Sequence, residues 1–175
     1  MSAIETARLT LRMFTLDDAE DYYLQLLRDP EVRRYLPGGQ PQPRERAEPV
    51  LTYFIDHWAR HGFGLWAVED KTSGTLIGQC GLQYIPDTTE VEVAYALAHS
   101  YWGRGLATEA AAASLRFGFD QLKHDRIVAL TVPANTASRN VMTKLGLQYE
   151  KMVHHYKMDL ACYAITRQMY QSMHP

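Results

Sequence analysis

Gly103 and Gly105, two residues apart, are the first candidates for a chemical role. They stand between an apolar segment that predicts a strand and an alanine-rich segment that predicts a helix. Glycines at such a junction let backbone N–H groups at the helix start point outward, where they attract an anion. The spacing therefore indicates a site for a phosphate-bearing ligand. A tight strand-to-helix turn without any ligand explains the same two glycines equally well.

Two common phosphate-binding motifs do not fit this segment. A P-loop ends in Gly-Lys-Ser/Thr, whereas Gly105 is followed by Leu106 and Ala107. A dinucleotide-binding fold needs a third small residue where Thr108 stands, and an acidic residue at the end of the next strand, where Val132 stands. The pattern argues against a nucleoside triphosphate and against a dinucleotide.

The elements that must position the glycine pair alternate between strand and helix patterns. Apolar residues at every second position, or in short continuous runs, predict strands over 9–13, 65–68, 75–84, 91–97, 126–132, 147–153 and 157–169. Helical spacing predicts helices over 15–28, 44–60, 106–119 and 137–145. This order predicts an α/β (α+β) fold, a mixed sheet with helices on both faces.

Length and charge narrow the class of protein. The 175 residues fit one compact domain, so we expect a single domain over residues 1–175. With 18 basic against 20 acidic residues, the chain lacks the basic excess of nucleic-acid-binding proteins. We therefore expect no nucleic-acid partner.

The cysteines and the hydropathy pattern bear on the cellular compartment. Cys80 and Cys162 are far apart and form no CxxC pair, so they are predicted to be free thiols in a reducing compartment. No apolar run approaches the roughly 20 residues that span a bilayer, and the N-terminal residues lack a signal-peptide pattern. The sequence predicts a cytoplasmic protein without a membrane partner.

Neither a metal site nor a covalent nucleophile is predicted. His57 and His61 have the spacing of a ligand pair on a helix, but Trp58 stands where the HExxH motif requires glutamate. No GxSxG pattern is present to support a nucleophilic serine. We expect a reaction that uses neither a bound metal nor a covalent nucleophile of the protein.

Longer motifs surround the glycine pair. Residues 92–97 have the sequence EVAYAL, residues 101–110 YWGRGLATEA, residues 135–140 NTASRN and residues 144–146 KLG. In order and spacing these segments resemble the acetyl-CoA motifs of GNAT superfamily N-acetyltransferases, in the RimJ/RimL-like (ribosomal-protein N-acetyltransferase-like) branch. The resemblance extends from TARLTLR at residues 6–12 to the end of the chain.

The resemblance implies a GNAT-like fold and a donor site. The fold would be a mixed, mostly antiparallel central sheet of six to seven strands. Acetyl-CoA would be the acetyl donor, with its pyrophosphate on backbone amides and its pantetheine arm along a strand edge. The implied cofactor-binding residues are Tyr95, Ala96, Leu97, Trp102, Gly103, Arg104, Gly105, Leu106, Ala107, Thr108, Asn135, Ser138 and Arg139.

Four of these residues keep a second interpretation. Ser138 is a candidate hydrogen-bond partner of CoA, or the residue that caps the helix predicted over 137–145. Arg104 and Arg139 are candidate partners of the adenosine 3′-phosphate, and equally they are ordinary solvated arginines. Asn135 is a candidate CoA contact, or the residue that starts the following helix.

The resemblance also suggests catalytic residues. Glu92, on the strand beside the implied thioester, would take the proton of the ammonium group directly or through a water. A backbone N–H near Leu97 would stabilise the oxyanion. Met142 stands where many superfamily members have a tyrosine acid, and Ser138 is the substitute suggested by this branch, as a donor to the departing thiolate.

The acceptor implied by this chemistry is a primary amine, either a protein N-terminus or a small molecule. The alternative function is a non-catalytic acyl-CoA-binding sensor. A homodimer is possible, because exposed edge strands near Leu160 to Met169 would be able to pair between subunits.

Overall fold

A computed structural model describes residues 3–175, in which eight strands form one open sheet. The strands are β1 (Ile4–Glu5), β2 (Leu9–Arg12), β3 (Leu65–Asp70), β4 (Thr75–Tyr84), β5 (Val91–Leu97), β6 (Arg126–Thr131), β7 (Gln148–His155) and β8 (Met158–Thr166). Their order is β1-β2-β3-β4-β5-β6-β8-β7, and only β5 and β6 are parallel neighbours. The predicted fold class is confirmed, and the two-residue β1 helps bring the strand number to eight instead of six to seven.

The described residues form six α-helices, of which five lie between strands and the last follows β8. They are α1 (Ala19–Tyr22), α2 (Pro30–Arg33), α3 (Ala47–His61), α4 (Leu106–Arg116), α5 (Thr136–Lys144) and α6 (Arg167–Met173). π-helical turns continue α1 to Leu27 and α4 to Gln121. The helices predicted over 44–60, 106–119 and 137–145 correspond to α3, α4 and α5.

Each face of the sheet has its own helical layer. Four apolar residues of α4 and of the turn that continues it, Leu106, Ala110, Ala113 and Phe117, form one stripe that is buried against one face. On the other face, Tyr22 of α1 and Phe54 of α3 pack together, with ring centres 6.2 Å apart. Within residues 3–175, no helix is long and apolar enough to cross a membrane.

The C-terminal segment differs from the strand predicted over 157–169. β8 ends at Thr166, whose Oγ1 accepts a hydrogen bond from the Met169 N–H at 3.2 Å and so caps α6. The prediction of a strand as far as Met169 is wrong, because apolar residues of a short helix after a strand can prolong the strand pattern.

The expected exposed edge near Leu160 to Met169 is also wrong. β8 lies between β6 and β7, and its residues from Leu160 to Ile165 are buried. The sheet instead ends at β7, where most residues are exposed. A homodimer stays a prediction, and β7 is the strand that would offer unpaired backbone groups to a partner.

Candidate active site

β5 and β6 separate after a single pair of facing residues. The two strands pair only at Glu92 and Val128, although β5 continues to Leu97 and β6 to Thr131. On its other side, β5 stays paired with β4 as far as Leu97. The carboxyl ends of β5 and β6 therefore border a gap in the sheet.

The backbone groups of Tyr95 and Leu97 face this gap. The Ala98 N–H donates to the Ile77 carbonyl at 2.7 Å, which fixes the phase of the antiparallel ladder between β4 and β5. Because hydrogen-bonding direction alternates along a strand, Ala96 bonds with β4 while Tyr95 and Leu97 turn their N–H and C=O groups toward β6. An extended ligand in the gap can pair with these groups as an added strand.

An exposed loop with two left-handed glycines follows β5. The φ angle is 74° at Gly103 and 76° at Gly105, a conformation that glycine adopts without steric cost. A Cβ placed at Gly103 would meet no atom within 4 Å, so space is open on that side. α4 begins directly after Gly105 with no side-chain cap. Its first N–H groups, at Leu106, Ala107 and Thr108, are positioned for an anion.

Trp102 joins this loop to the end of β5. Its indole Nε1 donates to the Leu97 carbonyl at 2.8 Å. Arg104 folds back along the loop, with its guanidinium 5.0 Å from the centre of the Tyr101 ring and its Nη2 donating to the Ser100 carbonyl at 3.0 Å. Arg104 is exposed, so its charge is available beside the loop.

Glu92 is a buried carboxyl group at the point where the gap begins. Only 4% of the residue is exposed, and neither of its hydrogen-bond partners is cationic. Its Oε1 accepts hydrogen bonds from the Tyr156 hydroxyl and from Gln83 Nε2, the latter at 2.9 Å. Burial raises the pKa of Glu92 above its ordinary value, and these two hydrogen bonds offset only part of the rise. Such a carboxylate is a stronger base than an exposed one.

Tyr156 is a site residue that the sequence analysis missed. It lies in the turn between β7 and β8, where Tyr156 and Lys157 have φ angles of 54° and 58°. Two consecutive left-handed residues form a tight hairpin turn, and this turn carries the phenol toward Glu92. A tyrosine at a hairpin has no motif around it, so nothing in the sequence marked it.

Ser138 lies on the opposite side of β5, at the start of α5. The Tyr95 hydroxyl donates to the Ser138 carbonyl at 3.1 Å and is 3.0 Å from Ser138 Oγ. Asn135 caps α5, because its Oδ1 accepts a hydrogen bond from the Ser138 N–H at 3.2 Å. The amide oxygen of Asn135 therefore acts as the cap at the start of α5, in line with the second interpretation of this residue.

Two other residues of this region have structural contacts. Arg139 donates from Nε to the Tyr163 hydroxyl at 2.9 Å and from Nη1 to the Pro133 carbonyl at 3.2 Å. It is thus directed toward β8, although the residue is exposed. Met142 is buried in the core and provides no acid at that position.

His57 has a structural role. Its Nδ1 lies 2.7 Å from the Phe63 carbonyl oxygen, and its Nε2 accepts a hydrogen bond from the Tyr84 N–H at 3.2 Å. These partners require a neutral ring with the proton on Nδ1, and burial lowers the pKa of His57 accordingly. The imidazole therefore joins the end of α3 to β4.

The two sets of polar side chains approach the gap from opposite faces. Side chains alternate along a strand, so Tyr95 is on the α4 face with Ser138, and Glu92 is on the other face with Tyr156. One ligand can therefore enter from the α4 loop while a second meets it from the face that carries Glu92. This arrangement is suited to group transfer between two molecules.

Comparison with known proteins agrees with this geometry. A family model described as an acetyltransferase (GNAT) domain matches residues 8–148. The chain is 34% identical over 160 residues to the protein YkkB of Bacillus subtilis, a match that covers 90% of this chain and 92% of YkkB.

Solved structures share the fold. An acetyltransferase of the GNAT family from Bacillus anthracis superposes with a TM-score of 0.81 at 26% identity, over 95% of this chain and 99% of that one. RimL, a ribosomal L7/L12 alpha-N-protein acetyltransferase solved with coenzyme A, superposes with a TM-score of 0.80 at 17% identity, over 94% and 98% of the two chains.

Proposed function

The chain belongs to the GNAT family of acetyltransferases and is an acetyl-transferring enzyme, and we propose that it moves an acetyl group from acetyl-CoA to a primary amine by direct attack in a ternary complex. The observation that carries this proposal is the gap between β5 and β6, which extends from the loop after β5 to the buried carboxyl of Glu92. We place the enzyme in the RimJ/RimL-like branch on its motifs, and in the cytoplasm because both cysteines are buried free thiols.

The chain's own residues fit acetyl-CoA as the donor. The open side of Gly103 and the uncapped N–H groups of Leu106 to Thr108 suit the pyrophosphate. The outward-facing Tyr95 carbonyl and Leu97 N–H suit the amides of the pantetheine arm, with Ala96 between them, while the Leu97 carbonyl is bonded to Trp102. Arg104 is a candidate for the 3′-phosphate. Arg139 and Asn135 contribute less, because their side chains already hold β8 and α5.

Glu92 is the proposed base. The ammonium group of the acceptor must lose its proton before attack, and an α-amine with a pKa near 8 loses it far more readily than a lysine with a pKa near 10.4. The raised pKa of Glu92 makes its carboxylate a better proton acceptor. Among residues 3–175 no cationic side chain bonds to it, so the carboxylate is free to accept the proton and become neutral. Tyr156 and Gln83 hold the carboxylate in place.

The remaining groups assist the departure of the thiolate. The thioester supplied by acetyl-CoA gives an oxyanion when the amine attacks, and the Tyr95 N–H, which faces the gap near Leu97 and closer to Glu92, is the proposed donor to that charge. A thiol with a pKa near 8.5 leaves easily, so a weak donor is sufficient. Ser138 is the proposed donor, and to act so its hydroxyl must turn its proton from the Tyr95 oxygen to the thiolate, because the Tyr95 proton is bonded to the Ser138 carbonyl.

The acceptor is a protein N-terminus or a small-molecule amine. The test is acceptor-dependent release of CoA, followed with a thiol reagent, from acetyl-CoA and a panel of N-terminal peptides, polyamines, amino acids and aminoglycosides. Release that requires one class of acceptor supports the transferase and identifies its substrate. Tight calorimetric binding of acetyl-CoA without release for any acceptor would instead favour a non-catalytic acyl-CoA-binding sensor.

A further inference from the structure

Arg8 joins the N-terminal strands to the loop that precedes α4. Its Nη1 donates to the Arg104 carbonyl at 2.8 Å, and its Nε donates to Glu109 Oε2 at 2.7 Å. The Arg8 N–H and the Thr6 hydroxyl both donate to Glu109 Oε1, at 2.8 Å and 2.6 Å. Arg8 thus fixes the backbone of the loop and the first turn of the helix together, although 101 residues separate Arg8 from Glu109.

Glu109 has an unfavourable charge for an anion site. It lies one turn into α4, directly after the N–H groups of Leu106 to Thr108. Burial raises the pKa of Glu109, but the hydrogen bonds from Thr6 and Arg8 outweigh that effect and keep the pKa below its ordinary value. The group is therefore a carboxylate at neutral pH, and a nearby carboxylate repels a phosphate group. Arg8 provides the compensating positive charge.

The third guanidinium nitrogen of Arg8 lies next to the loop. Arg8 Nη2 is 3.6 Å from the position that a Cβ at Gly105 would occupy. Half of the Arg8 side chain is exposed, so the cation is partly open to solvent at the mouth of the proposed phosphate site. A guanidinium held in this way loses little conformational freedom when an anion binds.

We propose that Arg8 is a positioning residue for the phosphate groups of CoA, which holds the loop from Gly103 to Gly105 in its open shape and neutralises Glu109. The proposal rests on the function proposed above. Without Arg8, the loop loses the bond to the Arg104 carbonyl, and the helix N-terminus acquires an uncompensated negative charge.

Calorimetric titration with CoA tests this role. Arg8→Gln is expected to weaken CoA binding about tenfold, which corresponds to about 1.4 kcal/mol. The matched control is Arg116→Gln, an exposed arginine in the last turn of the same helix, which removes the same charge far from the loop. We expect that control to bind CoA within about twofold of the unmodified protein. Equal binding by Arg8→Gln and the unmodified protein would overturn the proposal.

A donor without phosphates separates positioning from general support of the fold. For acetyl-CoA, Arg8→Gln should lower kcat/KM about tenfold, whereas for S-acetylpantetheine it should change kcat/KM less than about twofold. An equal loss with both donors would show that Arg8 only supports the fold, and would contradict the proposal. An unmodified protein that binds no CoA would refute the proposed function itself, which is a distinguishable outcome.

Two further variants test the charge argument. Replacing Glu109 as well, in Arg8→Gln/Glu109→Gln, removes the repulsion and should bring CoA binding back to within about threefold of the unmodified protein. No recovery in the double variant would refute the neutralisation of Glu109. If Arg8→Gln does not fold, Arg8→Lys replaces it in the comparison of the two donors. Lysine keeps the charge but lacks the fork of N–H groups that bonds Arg104 and Glu109 together. Its kcat/KM should fall about threefold with acetyl-CoA and stay unchanged with S-acetylpantetheine.

Discussion

The Tyr156 hydroxyl donates a hydrogen bond to Oε1 of Glu92, across 64 residues of sequence. Gln83 Nε2 completes the contact, lying 3.3 Å from the phenol oxygen and 2.9 Å from the same carboxylate oxygen. These bonds fix the orientation of the Glu92 carboxylate, the proposed base, and the bond from Tyr156 offsets part of the rise in its pKa.

Tyr156→Phe should shift the pH dependence of the reaction. Loss of the phenolic donor removes a hydrogen bond that lowers the pKa of Glu92, so the pKa rises further. The acidic limb of kcat/KM should move to higher pH, and kcat/KM at pH 7 should fall about tenfold. Tyr149→Phe, an exposed tyrosine on β7, is the control. If the acidic limb of kcat/KM does not move in Tyr156→Phe, Tyr156 does not affect the pKa of the base.

Glu92→Gln should stabilise the fold while removing the base. A carboxyl group whose pKa is raised by burial binds its proton more tightly in the folded state than in the unfolded state. Its contribution to the free energy of unfolding is therefore present at low pH and is lost as pH rises through the folded pKa. At pH 8 the variant should have a free energy of unfolding in urea about 1 kcal/mol higher than that of the unmodified protein. This difference in stability should shrink as the pH is lowered. A variant that is less stable at pH 8 would contradict the burial argument.

Ser138→Ala should have a modest effect on turnover. Tyr95 keeps its bond to the Ser138 carbonyl, so the start of α5 stays in place. We expect kcat with the best acceptor to fall about threefold to tenfold with little change in the KM for acetyl-CoA, because only a donor to the thiolate is lost. Thr143→Ala removes a hydroxyl from the same helix and should leave both constants unchanged. A hundredfold loss in Ser138→Ala would make Ser138 the principal acid.

Arg12 should be important for stability rather than for catalysis. Its guanidinium bonds the buried Asp18 at 2.7 Å and 2.9 Å and Glu69 at 2.7 Å. Arg12→Gln leaves both carboxylates without a cation and should cost about 2 kcal/mol in urea unfolding at pH 7. Arg34→Gln, whose partner Glu31 lies 4.0 Å away at the surface, should cost less than about 0.5 kcal/mol.

The same ion pair gives a pH dependence of opposite sign. Burial raises the pKa of Asp18, but hydrogen bonds from Arg12 and from Thr15 outweigh it and keep the pKa below its ordinary value. The contribution of Asp18 is therefore present above about pH 4 and is lost as pH falls. The difference in stability between the unmodified protein and Arg12→Gln should narrow in that acid range, and a constant difference would contradict the assignment.

Local patterns predicted the elements that hold the proposed donor site. The apolar spacing from Leu106 to Phe117 predicted the helix, and the glycines at 103 and 105 predicted the turn before it, because both depend on neighbours within a few residues. The left-handed conformation of the two glycines is a finding of the structure. The sequence analysis missed α6 because no residue lies between β8 and this helix. Thr166 is both the last residue of β8 and the cap of α6.

The contacts that complete the site are not local. Tyr156 reaches Glu92 through a hairpin, and Arg8 reaches Glu109 from the residue before β2, so neither pairing leaves a periodic pattern in one sequence. The gap between β5 and β6 likewise depends on how two distant strands diverge. These features can be identified only from the three-dimensional structure.

The most direct test of the central claim compares the unmodified protein and Glu92→Gln in acceptor-dependent CoA release at saturating acetyl-CoA and pH 7, with calorimetric CoA binding measured for both. The proposed mechanism predicts a kcat about 100-fold lower in Glu92→Gln with unchanged CoA affinity, because only the base is removed. A Glu92→Gln variant that releases CoA as fast as the unmodified protein would contradict the assignment of Glu92 as the base.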